Sequence, residues 1–141
     1  MTNVITIKVR GYHVDAYRHV NNARYLEFLE EGRWALFEES PSSSGWPEEA
    51  AFVVVNININ YRKGASIGDI LEIRTKISHL GPRSGMLRQE IILQGTQSVV
   101  VDAEVTFAMV DRRTQKALPL AGQLFDFFDR LRDAEGEPFL V

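Results

Sequence analysis

From Ala23 to about Glu39 the apolar residues return at helical spacing, and from Phe52 to residue 111 they return at strand spacing in four successive runs. A lone amphipathic helix must bury its apolar stripe, and the strands that follow it are the only large surface available for that. Tyr25, Leu26, Leu29, Leu36 and Phe37 carry the stripe, and Gly32 lies on it. A glycine inside a helix costs about 1 kcal/mol against alanine. Close approach of the helix to a sheet accounts for that cost.

The other elements complete the order. Val4, Ile5, Ile7 and Val9 form a short strand that ends at Gly11, and PSSSGWP (41–47) is a loop by composition. The strand runs are 52–61, 70–78, 86–94 and 99–111, with breaks at Gly64-Ala65, Gly81-Pro82 and Gly95-Thr96. In the first run Val53, Val55, Ile57, Ile59 and Tyr61 alternate with Val54, Asn56, Asn58 and Asn60, which predicts one apolar face and one amide face. The amide row can face water or pair with another subunit. Leu124, Phe127, Phe128 and Leu131 give residues 121–132 the pattern of a C-terminal amphipathic helix. The expected class is therefore α+β, with a five-stranded antiparallel sheet over one long helix.

Composition narrows the function classes. A chain of 141 residues is expected to be one domain spanning 1–141. Lys and Arg number 16 against 19 Asp and Glu, a net charge of −3 that argues against nucleic acid as a partner. With no cysteine there is no disulfide, thiolate zinc site or Cys nucleophile. The opening MTNVITIKVR has no signal-peptide pattern and no run approaches a membrane span, so a soluble cytoplasmic protein is expected, without a membrane partner.

The chemistry is concentrated in GYHVDAYRHVNNARY (11–25), which holds Asp15, His13, His19, Asn21, Asn22 and Tyr25. Asn21 or Asn22 as N-cap leaves first-turn N–H groups unpaired at the positive end of a helix dipole, where an oxyanion can be held. Asp15 could stand beside the same carbonyl as base or nucleophile. By spacing alone, Asp15 is equally readable as a solvated loop acid and the asparagines as ordinary caps. Two histidines six apart without HExxH do not suggest a metal site, and hydrogen-bonding or packing roles fit them better. GASIG (64–68) matches G-x-S-x-G, but strand period follows it where a nucleophile elbow needs a helix, so Ser66 is not read as a nucleophile. Basic residues gather at turns, at Arg62-Lys63, Arg83-Ser84 and Arg112-Arg113, and suit a small phosphate-bearing molecule or plain solvent exposure.

The segment DAYRHVNNARYLEFLEE (15–31), together with AFVVVNININYRKGASIGD (51–69) and TQKALPL (114–120), resembles the hotdog-fold acyl-CoA thioesterases of the 4-hydroxybenzoyl-CoA thioesterase group. Within that group the likeness is to the long-chain branch of fatty-acid β-oxidation. The resemblance implies a curved antiparallel sheet wrapped around the long helix, and dimers or tetramers with the site at the dimer interface. It implies hydrolysis of acyl-CoA, with no cofactor and no metal. The family's aspartate falls on Asp15, acting on the thioester carbonyl directly or through water, and its oxyanion N–H falls on Asn22. Tyr25 takes a positioning or packing role, while coenzyme A phosphates would meet Arg83 and Ser84, with Arg62 and Lys63 as a further basic pair. Arg18-His19 stand where the benzoyl branch usually has glycine and an aliphatic residue, so its aromatic substrate does not carry over. The alternatives are a non-catalytic acyl-CoA-binding module, a thioesterase for short or other acyl chains, and a dehydratase using His19. Core packing is the default reading of Phe28, Trp34, Phe52 and Val54, any of which could line the acyl tunnel.

Overall fold

A computed structural model of the chain describes residues 2–39, 46–132 and 139–140, so residues 41–45 of the expected loop lie outside the described residues. The elements are β1 (Thr2–Lys8), a 3-10 turn (Gly11–His13), α1 (Asn22–Glu38), β2 (Ala50–Tyr61), β3 (Ile70–Leu80), β4 (Gly85–Leu93), β5 (Val99–Asp111), β6 (Ala117–Leu118) and α2 (Gln123–Arg132). Every expected helix and strand is present, displaced by a few residues at most. The sheet is antiparallel throughout, in the order β1-β3-β4-β5-β2. Short turns join β3 to β4 and β4 to β5 as a meander, while β1 and β2 add to its two edges. The described residues contain six strands instead of five, because β6 pairs with the end of β5 through Met109 and Val110. Two residues are too few to show a period.

The sheet curves around α1. Tyr25, Phe28 and Leu29 pack on Leu71, Ile73, Ile91 and Val101, forming one core under the first half of the helix. Leu36 and Phe37 pack with Leu87, Val105, Phe107 and Met109 under the second half. α2 closes that second core with Leu124, Phe127, Phe128 and Leu131, the four residues of its expected stripe.

A polar layer separates the two cores, and Gly32 makes room for it. A Cβ on Gly32 would lie 2.6 Å from Ile73 Cγ2 and 2.7 Å from Thr75 Oγ1, so the helix touches the sheet here as the sequence predicts. Gln89, fully buried on β4, donates to Leu29 O (2.8 Å) and Thr75 Oγ1 (2.9 Å) and accepts from Arg33 (3.2 Å). Gly32→Val is expected to destabilise the protein by about 3 kcal/mol through overpacking. Calorimetry checks this, and an unchanged Tm would mean that the contact is not tight.

β2 departs from the expected alternation. A bulge shifts the register between Val54 and Asn56, so Val54 pairs with buried Phe107 and Ile57 with Val105, and Val55 is left over. Phe52 and Val54 therefore turn toward α1, in place of Val53 and Val55, which are exposed. Beyond the bulge Ile57 and Ile59 keep their expected face, and the amide row lies on the outer face of the sheet.

Candidate active site

Asp15 stands on a loop tied at both ends. Val14 and Val20 form an antiparallel bridge, Asp15 N–H donates to His19 O (3.0 Å), and Arg18 N–H donates to Asp15 O (3.0 Å). Tyr17 N–H donates to Asp15 Oδ1 (2.9 Å), which fixes the carboxylate relative to its own backbone. The turn requires a φ of 65° at Arg18. This left-handed conformation costs a side chain about 1–2 kcal/mol, and glycine adopts it freely.

Asn21, and not Asn22, is the N-cap of α1. Its Oδ1 accepts from Ala23 N–H (2.9 Å) and its carbonyl from Arg24 N–H (2.8 Å). Asn22 opens the helix, and its N–H makes no hydrogen bond among the described residues. The helix start is anchored by Asn21 N–H to His13 O (2.9 Å), by Val20 N–H to Ala65 O (2.9 Å) and by Tyr61 hydroxyl to Asn22 O (3.4 Å). One unpaired donor at the positive helix end is thereby held still.

A cavity of about 380 Å³ opens at this point, lined by Asp15, His19, Asn22, Tyr25, Tyr61, Arg62, Lys63 and Gly64 among others. It joins the acid, the helix start, the tyrosine, one histidine and one basic pair singled out in the sequence. His19 packs on Gly64, where a Cβ would come within 3.0 Å of its Nδ1. Tyr25 is buried and its hydroxyl has no hydrogen-bond partner among the described residues. Burial pushes its phenol above the ordinary pKa, with Asp69 adding to the rise and the Ala65 backbone opposing it. Tyr17, Val20 and Tyr61 are lining residues that sequence reasoning missed, Tyr61 because a tyrosine ending a strand reads as packing.

The remaining candidates fall elsewhere. His13 is outside this cavity and its Nδ1 accepts from Arg10 N–H (2.9 Å). Burial lowers its pKa, with Arg24 adding to the effect. Ser66 N–H donates to Asp69 Oδ2 (2.9 Å) in a loop that leads into β3, so no nucleophile elbow exists there. Arg83 and Ser84 sit exposed in the turn after β3, at the end remote from the Gly64–Asp69 loop. Eleven residues of strand span roughly 30 Å or more, so this pair does not reach the Asp15 cavity of its own chain.

Arg62 is anchored from behind. Its Nε pairs with Asp102, which is buried on the outer face of the sheet and also accepts from Asn60 Nδ2 (3.1 Å). Burial disfavours the Asp102 carboxylate, but the hydrogen bonds from Arg62 and Asn60 and the charges of Arg62 and Arg88 hold its pKa below the ordinary value. A depressed folded-state pKa means that this contribution to stability is complete above the unfolded value and is lost as pH falls through the folded one. Tm measured against pH is therefore expected to drop in acid, and Asp102→Asn to flatten that limb. An identical acid limb in the variant would exclude Asp102 as its source.

Comparison with known proteins agrees with this architecture. The family model described as the thioesterase-like superfamily matches residues 9–128. The chain belongs to that superfamily. A curated thioesterase-like relative, the long-chain acyl-CoA thioesterase FadM of Escherichia coli K12, is 52% identical over 127 residues, covering 89% of this chain and 96% of FadM. The acyl-CoA thioesterase YbgC of Helicobacter pylori is 31% identical over 126 residues, covering 81% of this chain and 92% of YbgC. The crystal structure of YbaW, a probable thioesterase from Escherichia coli, superposes with a TM-score of 0.84 at 50% identity, covering 91% of this chain and 97% of that one. The thioesterase-like fold here is the hotdog arrangement, α+β with the sheet around α1. Among its described residues no helix is long and apolar enough to cross a membrane.

Proposed function

We propose that this chain hydrolyses long-chain fatty acyl-CoA to free fatty acid and coenzyme A. The observation that carries the reading is a cavity lined by both Asp15 and Asn22, the residue whose N–H is unpaired at the helix start. The long-chain preference is supported by the 52% identity to FadM.

In this reading the thioester oxygen lies at the Asn22 N–H, where the helix end stabilises the charge that develops on it. Asp15 either takes the proton of an attacking water or attacks the carbonyl carbon itself, and water then cleaves the resulting anhydride. In both routes the C–S bond breaks, a C–O bond forms, and the sulfur leaves to be protonated as the coenzyme A thiol. Tyr17 N–H holds Asp15 Oδ1, which leaves Oδ2 for the reaction. Tyr25 and His19 wall the cavity and position the thioester. Arg62 and Lys63 supply positive charge for the coenzyme A phosphates from the same chain.

Arg83 and Ser84 can join them only from a second copy, and β2 offers the surface for one. It is a sheet edge twelve residues long with Val53 and Val55 exposed, and such an edge is normally covered. Self-pairing along β2 gives the homodimer, or a homotetramer built from it. The same reading takes the protein as cytoplasmic, in keeping with a chain that has no cysteine.

Thiol release from acyl-CoAs of increasing length, from acetyl to long unsaturated chains, tests the proposal. Turnover rising toward long chains is the expected result. Tight binding without turnover would replace it with a binding module, and turnover confined to short chains would remove the long-chain assignment.

A further inference from the structure

The loops at the helix-start end of the molecule combine positive charge with exposed apolar side chains. β1, β2 and β4 end here, and α1, β3 and β5 begin here. Main-chain bonds stitch the loops together, from Val20 N–H to Ala65 O (2.9 Å), Gly68 N–H to Val9 O (2.9 Å) and Gln94 N–H to Ile70 O (2.9 Å). Residues 8–20, 62–69 and 94–98 carry Lys8, Arg10, Arg18, Arg62 and Lys63 against Asp15 and Asp69, an excess of 3 positive charges on a chain whose net charge is −3. All five cations are exposed.

Three large side chains stand among those charges. Tyr17 is 85% exposed, Tyr12 69% and Ile67 59%, and none of the three belongs to either core. Turns ordinarily carry Gly, Pro, Asn, Asp or Ser. Tyrosine and an aliphatic residue ringed by Lys and Arg is instead the composition of a contact with the headgroup region of a bilayer.

We propose that this end of the molecule docks on an anionic lipid bilayer, with Tyr17 and Ile67 entering the headgroup boundary and the cations meeting the lipid phosphates. The purpose of the contact rests on the thioesterase reading above, because the cavity lined by Asp15 is also lined by Tyr17 and Lys63 and so opens among these loops. A single myristoyl chain holds its cargo at a bilayer with a K of about 10⁴ M⁻¹, and each further methylene multiplies that about fourfold. Palmitoyl-CoA therefore resides in lipid wherever lipid is abundant, whereas hexanoyl-CoA stays in water. The local excess of positive charge lets a chain that is negative as a whole approach a negative surface. Such a contact needs no spanning run, and its residues come from loops that only the fold unites, so the sequence pattern carries no sign of it.

Sedimentation with vesicles in the absence of substrate tests the contact. The protein is expected to pellet with phosphatidylcholine vesicles containing roughly 30% phosphatidylglycerol at low salt, and to stay in the supernatant with phosphatidylcholine alone or at about 0.5 M salt. One Lys or Arg near an anionic surface is worth about fivefold in binding, so Lys8→Glu combined with Arg10→Glu is expected to weaken vesicle binding by about tenfold or more. Ile67→Asp is expected to weaken it comparably while leaving the charge of the neighbouring cations in place. Both variants are expected to lose turnover of palmitoyl-CoA offered on the same vesicles by a like factor and to hydrolyse hexanoyl-CoA within about twofold of the parent. A parent that ignores anionic vesicles, pellets equally with neutral ones, or is matched by both variants would overturn the proposal. Retention on a soluble acidic protein without any vesicle binding would equally overturn it, by assigning the charge to a protein partner. A parent that pellets as expected but hydrolyses no acyl-CoA would end the thioesterase reading and support the bilayer contact on its own.

Discussion

Replacing Asp15 by asparagine is expected to lower kcat/KM for palmitoyl-CoA by about 10²–10⁴-fold, the range for losing a positioned general base. The substitution spares the fold, because an asparagine Oδ1 still accepts from Tyr17 N–H and the turn closed by Arg18 and His19 is made of backbone. What disappears is the anion that takes a proton or attacks the carbonyl. Asn22→Ala provides the contrast, since the donor at that position is the main chain and the N-cap is Asn21. Its rate is expected to stay within a few fold of the parent. Steady-state kinetics of both variants, with circular dichroism to confirm folding, checks the pair. Parent-level turnover by Asp15→Asn would remove the catalytic assignment.

Gln89→Leu is expected to cause the largest loss of stability, about 3–5 kcal/mol, which is the cost of breaking a buried polar pair from one side. Three partners lose their bond at once. Leu29 O and Thr75 Oγ1 lose a donor, and Arg33, only 7% exposed, loses the only hydrogen bond it makes among the described residues. Leucine fills the space but satisfies none of them. A Tm lowered by roughly 10 °C or more is the expected reading for a domain of this size. A shift of a degree or two would show that water or local rearrangement replaces the network.

Much of this architecture is legible in the sequence, and the exceptions have physical reasons. Helical spacing with a glycine on the buried stripe specifies both α1 and its contact with the sheet, because only a missing Cβ explains Gly32 beside Ile73. The density of polar groups between Gly11 and Tyr25 marks the site, since Asp15 and the helix start are close in sequence and the connecting loop closes on itself. The bulge in β2 is invisible because residues 53–55 are all valine, so either face of that stretch reads as apolar. The separation of Arg83 and Ser84 from the cavity is equally hidden, since sequence puts their turn at the opposite end of β3 from the Gly64–Asp69 loop but does not say that the cavity lies beside that loop. Tyr61 is recognisable as a site residue only once β2 is seen to end against α1.

The strand order also determines how the molecule is made. The middle of the sheet is one continuous stretch, from β3 through β5, whereas both edges and α1 are synthesised before it. At about 5–20 residues per second, translation leaves the newborn helix without a surface to lie on until the meander has emerged. During those seconds an amphipathic helix and an unattached twelve-residue strand are both in the open. Ribosome-bound chains that stop short of β5 are therefore expected to be its most aggregation-prone form.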